Sequence, residues 1–112
     1  MAFRYFDYLD DGPPARVFAR ISVLRTENGG RQSPFTTHFR PNHNFGDEEN
    51  ARFYIGQVEV PRGEWVFPGE TRNLWIEFLS GPHLVENLTI GRKWRIQEGP
   101  RLVAMAEILE IQ

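Results

Sequence analysis

From Val17 the chain alternates. Val17, Ala19, Ile21 and Val23 fall on one face and Phe18, Arg20, Ser22 and Leu24 on the other, the period of a half-buried strand. Glu27-Asn28-Gly29-Gly30 closes this run with residues that tolerate positive φ. Residues 35–40 read as a second short strand stopped by Pro41, and Asp47-Glu48-Glu49-Asn50 as a solvated loop. Residues 53–60 form a third strand, closed by Pro61-Arg62-Gly63, and residues 64–67 a short one ending at the turn Pro68-Gly69-Glu70. Leu74, Ile76 and Phe78 then alternate with Trp75, Glu77 and Leu79 until Ser80-Gly81-Pro82-His83 breaks the pattern. Residues 92–97, with Trp94 and Ile96 on one face, and a long strand over 101–111 complete the chain around the turn Glu98-Gly99-Pro100. Ala104, Met105, Ala106 and Glu107 are good helix formers, but the flanking turn and the alternation of Ile108 with Glu110 favour strand. No segment carries a helical period. Six or seven short strands with regular turn punctuation indicate an all-β, closed antiparallel barrel or sandwich.

Residues 1–14 stand apart as an aromatic and acidic lead, with Phe3, Tyr5, Phe6 and Tyr8 ahead of Asp10-Asp11-Gly12-Pro13-Pro14. They are expected to pack on the barrel, or alternatively to dock a partner; the barrel itself spans 15–112. At 112 residues and 40% hydrophobic content the chain fits one domain with a real core. A formal net charge of -2 gives no global pull towards nucleic acid, so any such contact needs a local patch. With no cysteine, disulfides, thiolate metal sites and Cys nucleophiles are excluded. The N-terminus lacks the apolar run of a signal peptide, and no stretch approaches membrane-spanning length. A cytoplasmic protein with no membrane association is expected.

The chemistry of catalysis is thin. There is no phosphate-binding loop of the Gly-x-x-x-x-Gly-Lys-Ser/Thr kind and no Gly-x-Ser-x-Gly elbow. His38 and His43 with Asp47, Glu48 and Glu49 fit no closed metal-ligand spacing. Neither an enzyme nor a metal, cofactor or small-molecule site is expected. Binding features remain. Arg31, Arg40, Arg52, Arg62, Arg92, Lys93 and Arg95 are interleaved with aromatic and polar residues, a composition suited to phosphate contact and equally to plain exposed strand positions. Trp65, Trp75 and Trp94 could anchor a protein partner.

Gly29-Gly30-Arg31-Gln32-Ser33-Pro34-Phe35 and Phe39-Arg40-Pro41-Asn42 resemble the C-terminal barrel (domain III) of bacterial elongation factor Tu. The resemblance continues through Ile55-Gly56-Gln57-Val58-Glu59-Val60-Pro61, Val66-Phe67-Pro68-Gly69-Glu70 and Ile96-Gln97-Glu98-Gly99-Pro100-Arg101-Leu102-Val103. It covers about residues 15–112 in one unbroken order. It implies a six-stranded antiparallel barrel which, in the full factor, helps grip the T-stem of aminoacyl-tRNA and packs on the GTPase domain. Arg31 keeps the family's arginine, Gln32 replaces its histidine, Asn42 stands for its glutamine, and Glu98 and Gly99 are unchanged. With the adjacent His43, these are the candidate contact residues. Ile55, the lysine-free turn Ser80-Gly81-Pro82-His83-Leu84, Gln97 and Pro100 depart from the family. The GTPase domain and second barrel are missing from these residues, so GTP hydrolysis is not expected. The resemblance implies a non-catalytic, translation-related binding domain whose partner is tRNA or a translation GTPase or factor. The alternative is a protein-interaction module that kept the barrel and lost RNA binding.

Overall fold

The computed structural model describes residues 14–46 and 52–112. The expectations for the lead at 1–13 and for the acidic loop fall outside these residues. Six strands close into a barrel: β1 (Ala15–Val23), β2 (Asn42–Asn44), β3 (Phe53–Val58), β4 (Thr71–Phe78), β5 (Lys93–Glu98) and β6 (Arg101–Ile111). The order around the barrel is β1-β4-β3-β2-β5-β6, and every neighbouring pair is antiparallel. Closure leaves no sheet edge open among these strands. Among the described residues no helix is long and apolar enough to cross a membrane.

Alternation fills the interior. Val17, Ala19, Ile21 and Val23 point inward from β1, facing Leu74, Ile76 and Phe78 of β4 and Ala104, Ala106 and Ile108 of β6. The β6 register shifts twice, once against β5 and once against β1. The first shift lets the consecutive residues Val103 and Ala104 both be buried, as a bulge does by setting two residues against one. An aromatic layer closes one end of the core. Phe45 stacks on Trp94 with ring centroids 4.9 Å apart, and Phe78 meets both rings.

Two expectations are corrected by the hydrogen bonding. Residues 35–40 are not a strand: Phe35 bridges Val66 and Phe39 bridges Val58 singly, with a turn at Thr37-His38 between them and His38 at φ 71°. The strand in this region is instead β2, the polar triplet Asn42-His43-Asn44. Residues 64–67 form a strap with a single β-bridge, at Val66, rather than a strand.

Loops 24–41 and 59–70 and the β5–β6 turn gather at one end of the barrel, called the upper end below. Residues 45, 46 and 52, loop 79–92 and the C-terminus lie at the other.

Candidate functional site

The Gly29-Gly30 pair sets the geometry of the upper end. Gly29 caps a short 3-10 turn (Thr26–Asn28) at φ 96°, a left-handed conformation that favours glycine. Gly30 is required for space: a Cβ there would lie 2.5 Å from the Leu24 carbonyl oxygen and 2.9 Å from that of Arg25. The chain therefore folds flat against itself, and the Thr26 hydroxyl donates to the Arg31 carbonyl at 2.6 Å. Arg31 emerges over a prepared bed. Phe35 and Phe39 stack with centroids 4.1 Å apart, and the Arg31 guanidinium sits 5.0 Å above the Phe39 ring.

Glu98, at the end of β5, places Oε1 3.5 Å from Arg31 Nε. Gly99 follows at φ 57° in the turn into β6. Asn42 opens β2 opposite Gln97, the neighbour of Glu98, and Gln32 is exposed beside Arg31. Five of the six candidate residues thus meet at one end, although they come from separate parts of the chain. The guanidinium of Arg31 is engaged by a carboxylate, so an incoming phosphate would compete with Glu98 for it.

His43, the sixth candidate, is corrected. It points into the core from β2 and is fully buried, because alternation gives the middle residue of Asn42-His43-Asn44 the inward position. Its Nε2 lies 2.9 Å from the Gly56 carbonyl oxygen, and Trp94 Nε1 donates to its Nδ1 at 2.9 Å. The carbonyl can only accept and the indole can only donate, which fixes the neutral tautomer with hydrogen on Nε2. Burial lowers its pKa from 6.5 to about 4. Both ring nitrogens are used within the protein, so His43 has none to offer a metal. Gly56 makes room for it: a Cβ there would stand 2.9 Å from both His43 Nε2 and Phe78 Cδ1.

The tryptophans divide. Trp94 is buried and cannot anchor a partner. Trp75 is half-buried, with Arg16 stacked 4.2 Å over its ring while the same guanidinium grips Glu59 through two 2.8 Å bonds. Trp65 is 51% exposed and Phe67 52%. Sequence reasoning missed Asn44, which is buried and ties Gly46 and Arg52 to the barrel. Its amide donates to Gln97 at 2.8 Å, and its oxygen accepts from the backbone amides of Gly46 at 3.0 Å and Arg52 at 3.2 Å. Arg95 donates to the Gly46 carbonyl at 2.6 Å and Arg92 to that of Phe45. These two arginines hold backbone, so they are less available to a ligand than their charge suggests.

No protein-family model matches the sequence. Arginines and glutamates are interspersed at the upper end. Among the described residues the upper end carries Arg25, Arg31, Arg40, Arg62, Arg72 and Arg101 against Glu27, Glu59, Glu64, Glu70 and Glu98.

Proposed function

We propose that this barrel is a non-catalytic binding domain, similar in role to the C-terminal barrel of elongation factor Tu, acting in the cytoplasm as a translation component with its upper end towards tRNA. The observation that carries this reading is the gathering of Arg31, Gln32, Asn42, Glu98 and Gly99 at the arginine-rich end of the barrel. Backbone geometry holds the platform rigid, and arginine with small polar neighbours is the composition that phosphate contact uses. The test is binding of labelled tRNA across a salt series. The reading expects affinity that falls as salt rises, and Arg31→Ala weaker by severalfold with a salt slope shallower by about one. Absence of binding at low salt would sink it.

A second reading, a protein-interaction module, is favoured by a different observation. Phe53, Ile55 and Leu79 are exposed side by side on the flank around a hollow of about 220 Å³ floored by Tyr54, Gly81 and Pro82. The Leu79 amide donates to the Ile55 carbonyl at 3.0 Å, so the patch is continuous across the β3–β4 pairing. On this reading Leu79→Lys abolishes partner capture and Arg31→Ala does not; the reverse pattern would refute it.

A further inference from the structure

We propose that Trp65 and Phe67 clamp an unpaired RNA base, so that the upper end takes single-stranded nucleotides as well as duplex backbone. The inference rests on the nucleic-acid reading above and adds a ligand feature and two residues to it.

Three observations carry it. Trp65 and Phe67 flank Val66, which is fully buried and exchanges both backbone bonds with Phe35, at 2.8 and 3.0 Å. Burying the middle residue turns both flanking rings outward, where each leaves half its surface exposed. Alternate side chains along an extended segment stand about 7 Å apart. A flat base can stack on exposed aromatic rings such as these.

The strap is also stiff, which lowers the ordering cost of binding. At its start Arg72 donates to Glu64 Oε1 at 2.6 Å, and the Thr36 hydroxyl donates to the Glu64 carbonyl. At its end the Phe67 amide donates to Glu70 Oε1 at 2.8 Å.

Arg25, Arg31 and Arg62 border the rings, while the nearby acids are engaged within the protein, Glu64 by Arg72 and Glu70 by the Phe67 amide. Arg25 packs along Gly69, whose added Cβ would sit 3.4 Å from Arg25 Cγ. Arg31 sits over Phe39, the stacking partner of the same Phe35 that holds Val66. Arg62 is exposed in the turn just before the strap. Aromatic rings that stack bases, bordered by cations that track phosphates, are the two components of single-strand binding.

The experiment titrates the full chain with a single-stranded oligouridylate, an RNA duplex of equal length and tRNA, reading tryptophan quenching and anisotropy. Both rings are exposed, so Trp65→Ala and Phe67→Ala should melt like the parent. The proposal expects quenching by oligouridylate that disappears in Trp65→Ala. Each variant should bind oligouridylate about tenfold more weakly, with duplex affinity unchanged. Equal losses for duplex and single strand would overturn it, as would Trp65→Ala binding oligouridylate as tightly as the parent. Arg31-dependent tRNA binding that ignores Trp65 and Phe67 would overturn the clamp and leave the proposed function standing. Binding of neither RNA would remove both.

Discussion

Lowering the pH should weaken this barrel through one residue, His43. Its imidazole is buried with a donor aimed at Nδ1 and an acceptor at Nε2, so a second proton would face the Trp94 N–H. The folded state holds its pKa at about 4 against 6.5 for an ordinary imidazole. Between those values the unfolded chain binds the proton and the folded chain does not. The stabilisation is therefore complete above about 6.5 and is lost as pH falls towards 4. The full gap corresponds to about 3 kcal/mol, of which about 2 kcal/mol should disappear between pH 7.5 and 5.0, before most carboxylates titrate. The assay is urea unfolding followed by tryptophan fluorescence at several pH values. A loss of that size moves the midpoint by on the order of 1 M for a small domain. In His43→Gln, which stays neutral, the midpoint should start lower and remain nearly constant over the same range. An unchanged midpoint between pH 7.5 and 5.0, or an equal drop in His43→Gln, would refute the reasoning.

Gly56→Ala should cost about 1–3 kcal/mol by forcing its Cβ against His43 and Phe78, read as a lower thermal midpoint with the barrel's circular dichroism retained. Asn44→Ala removes the acceptor for two backbone amides and the donor to Gln97. It should cost about 2 kcal/mol and speed hydrogen exchange at Gly46 and Arg52 before any global change. Glu98→Gln frees Arg31 from its carboxylate partner and should tighten tRNA binding severalfold at low salt, since a repelling charge also goes. Unchanged affinity in that variant would mean Arg31 is not a phosphate contact.

The barrel was readable where burial alone sets the sequence pattern. From Val17 in β1 and from Leu74 in β4 every second residue is apolar and lies inside. β6 was ambiguous because Ala104, Met105, Ala106 and Glu107 are good helix formers, and its bulge, which places Val103 and Ala104 inside together, is not visible in the sequence. β2 was missed for a clear reason. Asn-His-Asn carries no apolar signal, and His43 is tolerated inside only because Gly56 and Trp94, distant in sequence, satisfy its two nitrogens. Residues 35–40 looked like a strand because of Phe35 and Phe39. Their separation by four positions across a tight turn instead stacks the rings beneath Arg31. The resemblance, not the chemistry, singled out Arg31, Gln32, Asn42, Glu98 and Gly99. It had no means of separating Asn42 from its inward-facing neighbour His43. The outward turn of Trp65 and Phe67 became visible only once Val66 was seen to be the buried member of the strap.

We propose that the upper end of the barrel meets tRNA. The most direct test is a map of backbone amide shifts in isotope-labelled protein titrated with tRNA at low salt. The account predicts perturbations confined to residues 25–42, 61–72 and 97–102, weakening together as salt is raised. Shifts centred on Phe53, Ile55 and Leu79, or a spectrum that tRNA leaves unchanged, would contradict it.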